Sequence, residues 1–284
     1  MLSKCLESLE KQTVKIKKVI VTDNFSNDGM LRSFKEKFSW VHWQEEPING
    51  GFSYGCNAGA RLAETKWVLF LNPDTEIPET CFESLIPYCD ENSDYKLISI
   101  KQVNSDGKDC FPYGVFPNTF NLLGPLRSFE RNIIRRSQSK KIMGATSVGY
   151  PDWISGAFVL IRLEDYKKLV SWDEFFWMYY EDIDLSKRAA NLGMKRVLLN
   201  NWYCIHNHGG ASRKNIDTTI LTKSEVLISS HKYIKKHFAL IAKPIAHSLV
   251  FGSSFLELSV LSLFSKVKRG MFKKLLGYWF GAKA

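Results

Sequence analysis

The chain has 284 residues, enough for one large or two modest domains, and its 45% hydrophobic and 24% charged content is typical of a folded soluble protein. The net charge of +10 belongs to the end of the chain: residues 213–284 hold 13 Lys/Arg against 3 Asp/Glu, whereas residues 1–212 hold 26 of each. A neutral main part argues against a polyanion partner such as nucleic acid.

The six cysteines show no CxxC pair and no metal-ligand spacing, which indicates reduced thiols in a cytoplasmic protein. No basic segment followed by an apolar run opens the chain, so we expect no signal peptide.

Helices and strands alternate over the first 71 residues. Leucines recur at helical spacing from Leu2 to Leu9, and the apolar run 18–22 ends at Asp23. The predicted elements are helix 2–11, strand 18–22, a helix to about residue 38, strand 41–44, helix 53–63 and strand 67–71. This alternation predicts an α/β fold with parallel strands, whose ligands gather at the carboxyl ends of the strands. Asp23 and Asp74 both lie at such ends and are candidate binding residues.

The rest of the main part is less regular. Residues 104–150 carry Gly, Pro and a basic stretch, and we expect a long excursion there with little order of its own, serving as a lid or an acceptor loop. The following predicted elements are strand 153–161, helix 181–192 closed by Gly193, and a strand pair or one bent strand over 195–205. We therefore predict one domain over residues 1–215 and a helical region over residues 216–284.

Three carboxylates crowd into four residues at the start of the helix predicted over 181–192. Glu181, Asp182 and Asp184 repel each other unless a cation, a metal or a proton-transfer task holds them. Positions i and i+2 of a helix diverge, so one aspartate can work in a cleft while Asp184 pairs with Arg188 at i+4. A salt-bridged surface helix is the alternative. The apolar lead-in at residues 178–180 favours a general base, because apolar walls raise a carboxylate's affinity for protons.

Three further motifs carry candidate ligands. Asn72-Pro73-Asp74 follows a strand and can aim a carboxylate at Mg²⁺ or Mn²⁺, although Asp74 can also cap the helix expected near residue 78. His206 and His208 precede two glycines, where a metal, a phosphate or a purely structural role are all open. The Gly-rich run 49–59 enters a helix, and its backbone N–H groups can meet a diphosphate, although this motif is weak on its own.

Taken in order, these motifs resemble the family 2 glycosyltransferases, in particular the rhamnosyltransferase-like branch that builds bacterial surface polysaccharides such as O-antigen. The resemblance covers residues 1 to about 215. The matching segments are Leu6-Glu7-Ser8-Leu9-x-x-Gln12, residues 21–29, residues 49–59, Leu71-Asn72-Pro73-Asp74-Thr75, Ser155-Gly156-Ala157, Glu181-Asp182-x-Asp184-Leu185-x-x-Arg188 and residues 208–212.

The resemblance implies a GT-A fold, which is a Rossmann-like nucleotide-sugar-binding mixed sheet with flanking helices, and inverting transfer from a nucleotide sugar. By family position Asp23 holds the base or ribose, and Asn49 and Asn57 line the nucleotide and diphosphate. Asp74 takes the metal-binding place of the DXD motif, with Asn72 in place of its first aspartate. A bound Mg²⁺ or Mn²⁺ is therefore expected.

The same resemblance makes Asp182 the catalytic base. It places His208, or as the alternative His206, at the metal or diphosphate. The further residues expected to contact the nucleotide sugar are Trp153, Gly156, Glu181 and Arg188.

One departure from the family pattern concerns the start of the chain. Family members begin with an apolar strand ahead of the first helix, whereas Met1 here stands almost at that helix. The additional strand would lie inside the sheet, beside residues 18–22, and would help to shape the nucleotide pocket. Our hypothesis is that the true start lies upstream or that this form is impaired.

The end of the chain is both apolar and basic. Residues 238–264 are rich in Leu, Ile, Val and Phe, and five Lys/Arg follow between residues 266 and 274. We expect an amphipathic helix lying on an anionic membrane surface, with a membrane-spanning helix, a helix packed on the catalytic domain and a homodimer contact as alternatives. The expected location is cytoplasmic, peripheral on the inner face of the plasma membrane.

The sequence thus predicts an enzyme that moves a sugar, L-rhamnose from dTDP-L-rhamnose, onto a lipid-linked or polysaccharide glycan acceptor. The alternative is a non-catalytic GT-A-like module that binds a glycan or a partner glycosyltransferase, which the missing strand favours. Donor turnover that depends on Asp182 distinguishes the two.

Overall fold

The structure is a computed structural model that describes residues 1–26, 29–119, 121, 122, 142, 147–207 and 215–281. The chain forms two compact units. The first unit comprises Met1–Phe116, Lys141–Glu174 and Glu181–His208, and the second comprises Pro117–Lys140, Phe175–Tyr180 and Gly209–Ala284.

A seven-stranded mixed sheet is the centre of the first unit. Its strands are β3 (Trp67–Leu71), β4 (Thr75–Glu76), β5 (Tyr95–Val103), β6 (Asp109–Cys110), β8 (Val148–Gly149), β10 (Phe158–Arg162) and β11 (Lys195–His206). The main path of the sheet runs β3-β10-β5-β11-β4, with β6 beside β5 and β8 beside β11. Among the described strands of this sheet, only β5 and β11 pair in parallel; β10 is antiparallel to β3 and β5, and β4, β6 and β8 are also antiparallel to their neighbours. The prediction of a mixed GT-A-type sheet is confirmed, and the simpler expectation of parallel strands from the alternation of elements is wrong for this sheet.

Alternate residues of each central strand enter two different cores. In β10, Phe158 and Leu160 pack into one core, and Val159 and Ile161 pack into the other. Successive strand side chains point to opposite faces, so a sheet covered on both sides needs a continuous apolar run. Helix α4 (Cys81–Glu91) covers the first face, and α5 (Leu163–Lys168) and α6 (Glu181–Asn191) cover the second.

A separate two-stranded parallel ribbon precedes this sheet. It pairs β1 (Ile20–Asp23) with β2 (His42–Glu45), and α2 (Leu31–Lys37) connects the two strands. Helix α3 (Phe52–Ala60) packs against β1, where Gly59 allows close approach, since a Cβ there would stand 3.0 Å from Thr22 Oγ1. Within the described residues β1 pairs with β2 alone, so no described strand fills the place expected beside residues 18–22.

The first helix, α1 (Leu2–Glu10), supports the turn that ends β3. Cys5 Sγ lies 3.8 Å from the backbone oxygen of Asn72. Ser8 Oγ accepts from Ile77 N at 3.0 Å, and Gln12 Nε2 donates to Pro78 O at 2.9 Å. Side chains of α1, and of Gln12 just after it, therefore hold the polypeptide that follows Asn72 in place.

Several predicted elements need local correction. The strand expected over 153–161 is two strands, β9 (Trp153–Ile154) and β10, and β9 pairs with β7 (Tyr113–Gly114) in a small sheet of its own. The segment 195–205 is one bent strand, because β11 shifts register against β5 between Leu199 and Tyr203. Most of the excursion expected over 104–150 lies outside the described residues.

The described residues of the second unit include three long helices. They are α7 (Ile216–His237), α8 (Ala242–Leu261) and α9 (Lys266–Phe280). Ile228, Leu258, Met271 and Leu275 form one shared core, and Ile234, Ala246 and Val250 form another. Helix α8 is long and apolar enough to cross a membrane by length and composition, a test that the core helices of soluble proteins also pass. All six cysteines are free.

Candidate active site

Two turns meet at the carboxyl ends of β1 and β2. Asp23 accepts hydrogen bonds from Ser26 N at 3.2 and 3.3 Å, which closes the first turn. Asn24 Nδ2 donates to Gly51 O at 2.8 Å, and its Oδ1 accepts from Gly50 N at 3.2 Å. Asn49 Oδ1 accepts from Gly51 N at 3.2 Å. The structure therefore brings Asp23 and Asn49, two of the predicted nucleotide-binding residues, to adjoining turns.

Asn57 lies in the interior of the unit. Its Nδ2 donates to Trp172 O at 3.0 Å and to Glu174 Oε1 at 2.7 Å, and its Oδ1 accepts from the Tyr166 hydroxyl at 2.6 Å and from Trp172 N at 3.0 Å. These four contacts use every hydrogen-bonding position of the amide. Any effect of Asn57 on a nucleotide would act through the position of Trp172 and Glu174.

The turn after β3 places Asp74 beside His206. Asp74 Oδ1 lies 3.3 Å from His206 Nε2, and Asn207 N donates to Asp74 O at 3.1 Å. His206 is buried, and its Nδ1 lies 2.7 Å from Gln102 Oε1. This contact orients the imidazole so that Nε2 faces the Asp74 carboxylate. Asp74 does not cap the following helix, whose N-cap is Thr80.

This pair has the character of a cation site. Asp74 Oδ1 is buried and accepts no hydrogen bond from the described residues. A proton on Nε2 would join the two groups in a hydrogen bond, and in its absence a carboxylate with an imidazole 3.3 Å away is a suitable ligand pair for a divalent ion. No cluster of three or more His, Cys, Asp or Glu is found in the described part of the chain, so a cation here would take its other ligands from substrate phosphate and water. His208, the other predicted ligand, lies outside the described residues.

Asp182 sits in the first turn of α6. Its Oδ2 accepts from Gly156 N at 3.3 Å, and its Oδ1 accepts from Ile183 N at 2.8 Å. Burial raises the pKa of this carboxyl to about 6, against the lowering effect of the two backbone N–H groups. At neutral pH the group is therefore mostly ionised and has a much higher proton affinity than an ordinary aspartate, as a general base requires.

Gly156 fits where a larger residue would not. A Cβ at this position would stand 3.2 Å from two ring carbons of Phe52 and 3.6 Å from Trp172. The two rings meet edge to face, with centroids 5.4 Å apart. Aromatic packing therefore fixes the segment whose N–H group holds Asp182.

The other carboxylates of the acidic run have different environments. Asp184 is fully buried and accepts from Arg188 Nε at 2.7 Å; this is the predicted i,i+4 ion pair, but it is buried. Arg188 Nη1 also donates to Leu169 O. Glu181 is buried with no hydrogen-bond partner for Oε2 among the described residues, and burial followed by the Asp182 charge raises its pKa well above the usual range. Direct contact of Glu181 or Arg188 with a nucleotide sugar stays a prediction.

Trp153 stands at the other side of the Ser155–Ala157 segment. Its Nε1 donates to Val115 O at 2.9 Å, and its ring fills the space beside Gly114, where a Cβ would be 2.7 Å from the indole. In α6, Ser186 Oγ accepts from Ile154 N at 3.3 Å, which ties the helix to this strand. The indole face of Trp153 is half-buried.

Both acidic motifs contact one short segment. Asn72 N donates to Ala157 O at 3.0 Å, and the preceding residue, Gly156, donates to Asp182. The turn that carries Asp74 and the helix start that carries Asp182 are therefore both hydrogen-bonded to Gly156 and Ala157, at the carboxyl end of β3.

Three residues of this site were not assigned roles from the sequence. Asn24 joins the two nucleotide turns, Gln102 orients His206, and Phe52 supports Gly156. Asn24 directly follows Asp23, at the end of a predicted strand, so the sequence does indicate that Asn24 lies in the same turn. Gln102 lies within a long apolar strand, and only its pairing with β11 reveals its partner.

The fold belongs to the GT-A class. Its solved structural relatives include GalNAc-T7, which was crystallised with UDP, GalNAc and Mn²⁺. That comparison has a TM-score of 0.56 at 12% identity and covers 92% of this chain and 55% of the other, so this chain spans about half the length of that protein. At this identity the likeness concerns the fold alone.

The chain belongs to glycosyl transferase family 2, whose family model matches residues 1–150. It is 26% identical over 200 residues to the rhamnosyltransferase WbbL of Escherichia coli, covering 66% of this chain and 72% of that protein. It is 22% identical over 222 residues to the N-acetylglucosaminyl-diphospho-decaprenol L-rhamnosyltransferase of Mycobacterium tuberculosis, covering 72% and 71%. These likenesses support a transferase that acts in glycan biosynthesis.

Proposed function

We propose that this protein is an inverting, metal-dependent glycosyltransferase that transfers L-rhamnose from dTDP-L-rhamnose to a lipid-linked or polysaccharide acceptor in bacterial surface-glycan synthesis. The observation that carries the catalytic part is that Gly156 N donates to the Asp182 carboxylate while the next residue, Ala157, accepts from Asn72, in the turn that places Asp74 beside His206. The names of the two rhamnosyltransferase relatives support the choice of donor, and the decaprenol-linked acceptor of one of them supports a lipid-linked acceptor.

In this proposal Asp182 accepts the proton of the acceptor hydroxyl. The acceptor oxygen forms a bond to the anomeric carbon while the bond from that carbon to the leaving diphosphate breaks, so one displacement inverts the configuration. General-base assistance of this kind contributes about 10²–10⁴-fold to the rate. The N–H groups of Gly156 and Ile183 hold the carboxylate in place and keep its pKa from rising further.

The other end of the reaction is the leaving diphosphate. Asp74 and His206 would hold a divalent Mg²⁺ or Mn²⁺ ion, which when bound offsets the negative charge that develops on the diphosphate. Gln102 fixes the His206 ring so that Nε2 faces Asp74. On the nucleotide side, Asn24 holds the Asp23 and Asn49 turns together, which preorganises the surface for the base and ribose.

The test begins with a thermal-shift screen of nucleotide sugars, followed by donor hydrolysis and transfer with the best binder, with and without Mg²⁺ or Mn²⁺. Asp182→Asn is expected to lose about 10²–10⁴-fold in turnover while it still binds the donor. Asp106→Asn, at an exposed turn, is the matched control that keeps parental activity. Equal turnover in Asp182→Asn and the parent would exclude Asp182 as the base. Donor binding without any turnover in the parent would favour the non-catalytic module.

Metal dependence has its own variant. His206→Gln removes one of the two candidate ligand atoms, so we expect activation to need about tenfold more metal, in line with losses seen when a ligand shell is disturbed. Full activity of the parent in excess chelator would contradict this part of the proposal and leave the role of Asp182 intact.

We further propose that the protein works in the cytoplasm at the inner face of the plasma membrane, where lipid-linked acceptors are found.

A further inference from the structure

Helix α8 has two apolar faces, and the protein covers one of them. Its buried residues recur every fourth position and pack against α7 and α9; they are Ala246, Val250, Ser254 and Leu258. The large apolar residues Ile245, Leu256 and Val260 are exposed by 55–69%. At 100° per residue these three fall within an arc of about 60°, on the side away from the buried stripe. A helix on the surface of a soluble domain would carry polar side chains there.

The exposed apolar surface is largest where α8 ends. The turn between α8 and α9 exposes 69% of Leu263 and 82% of Phe264, next to the exposed Val260. Isolated exposed hydrophobic residues are ordinary, but a continuous group of this kind marks a contact surface. We call the group formed by Leu256, Val260, Leu263 and Phe264 the apolar ridge.

Basic side chains begin immediately beyond the apolar ridge. Lys266 stands two residues after Phe264, and Lys266, Arg269 and Lys273 are all exposed along α9. Their spacing of three and four residues places them on one side of that helix. Residues 215–281 hold ten Lys/Arg and three Asp/Glu, and two of those acids pair within the bundle, Glu225 with Lys274 and Glu257 with Lys268. The surplus charge beside the ridge is therefore positive.

We propose that the apolar ridge inserts into the interfacial layer of a membrane rich in anionic lipids, with the basic side of α9 against the headgroups. An apolar group bordered by lysines matches the two layers that such a surface presents, hydrocarbon below and negative charge above. A protein partner would require a complementary acidic rim around its own apolar patch, and a nucleic acid would offer nothing to the ridge.

The inward face of α8 argues for lying on the membrane rather than crossing it. His247 Nδ1 lies 2.8 Å from His231 Nδ1 of α7, and Trp279 of α9 donates to His231 Nε2 at 3.2 Å. Glu257 pairs with Lys268 at 2.6 Å. A span would break these contacts and carry Lys243, His247 and Glu257 into hydrocarbon, which is costly for each charged group.

The experiment is vesicle flotation of the full chain, with phosphatidylcholine alone or with one quarter phosphatidylglycerol, at low and high salt. We expect binding to the anionic vesicles that weakens with salt. Leu263→Gln with Phe264→Gln should lower the partition coefficient about tenfold or more, since most of the inserted apolar surface is lost. Lys266→Gln should lower it about fivefold on anionic vesicles only. Leu192→Gln, an exposed leucine in the first unit, is the matched control and should bind like the parent.

Several outcomes would overturn the proposal. They are the absence of vesicle binding, equal binding to neutral and anionic vesicles, and ridge variants that bind like the parent. Resistance to alkaline extraction would show a span instead. Ridge variants that turn a dimer into a monomer without any change in vesicle binding would show that a second copy covers the ridge. Unchanged thermal unfolding of each variant verifies folding, and because no sugar transfer is measured, the result is independent of the proposed reaction.

Discussion

Asp182→Asn makes the sharpest test of the site, because the same replacement should lower turnover about 10²–10⁴-fold and remove a pH-dependent loss of stability. Burial raises the pKa of Asp182 from 3.8 to about 6. A carboxyl whose pKa is higher in the folded than in the unfolded protein favours the folded state when it is protonated, relative to its ionised form. Its contribution is fully present below about pH 4 and is lost as the pH rises through about 6. Above pH 6 the parent therefore carries a buried charge that asparagine does not.

The magnitude follows from the shift. About two pKa units correspond to about 3 kcal/mol, and this is an upper value because part of Asp182 remains accessible to solvent. We expect the stability of Asp182→Asn relative to that of the parent to be higher by about 1–3 kcal/mol at pH 8 than at pH 4. Asparagine retains an oxygen that can accept from Gly156 N or Ile183 N, so the local backbone keeps a partner.

Urea unfolding of the parent and Asp182→Asn at a series of pH values measures the difference, with Asp106→Asn as the control that follows the parent throughout. The pH-rate profile supplies the second readout: parental turnover should fall about tenfold between pH 7 and pH 5, whereas an aspartate of ordinary pKa would keep more than about 90% of its ionised form. Donor binding measured over the same range separates this effect from titration elsewhere. A variant that is less stable than the parent by the same amount at pH 4 and pH 8 would refute the burial argument.

Three other predictions follow from contacts in the first unit. Arg188→Met removes the guanidinium that pairs with the buried Asp184 carboxylate and should cost about 3–5 kcal/mol of unfolding free energy, most of which a second replacement, Asp184→Asn, should restore. Equal instability of the double variant would contradict the ion-pair explanation. Gly156→Ala should lower the free energy of unfolding by about 1–3 kcal/mol, because the new methyl group crowds the Phe52 ring. It should also lower turnover, because it moves the N–H group that donates to Asp182. Thermal unfolding measures the first effect, and the control, Gly252→Ala in α8, has open space around the new methyl group and should be neutral or stabilising by up to about 1 kcal/mol. Asn24→Ala removes the hydrogen bonds between the two nucleotide turns, so steady-state kinetics should show a donor KM raised about tenfold with kcat nearly unchanged; a loss confined to kcat would place Asn24 elsewhere in the mechanism.

The elements carried by strong local patterns were predictable from the sequence. The strand over 67–71 and the helix that begins at Glu181 agree with the structure within a residue, because an apolar run and a capped acidic helix are local signals. The direction of β10 was not predictable in this way, since the alternation of elements along the chain does not show which strands pair. The division of the acidic run was partly predictable: helical geometry indicated that Asp182 and Asp184 diverge, but burial decided that the ion pair is internal.

The sequence by itself determined the family, the order of the acidic motifs and the pairing of Asp184 with Arg188, because these depend on residue identity and on spacing along one helix. The tertiary structure decided which groups share a site. It placed His206 against Asp74 across a pairing of β11 with β4, joined the Asp23 and Asn49 turns through Asn24, and raised the pKa of Asp182 by burying it beside Gly156. The physical reason is that proton affinity and ligand geometry depend on neighbours distant in sequence, and only the folded sheet brings those neighbours together.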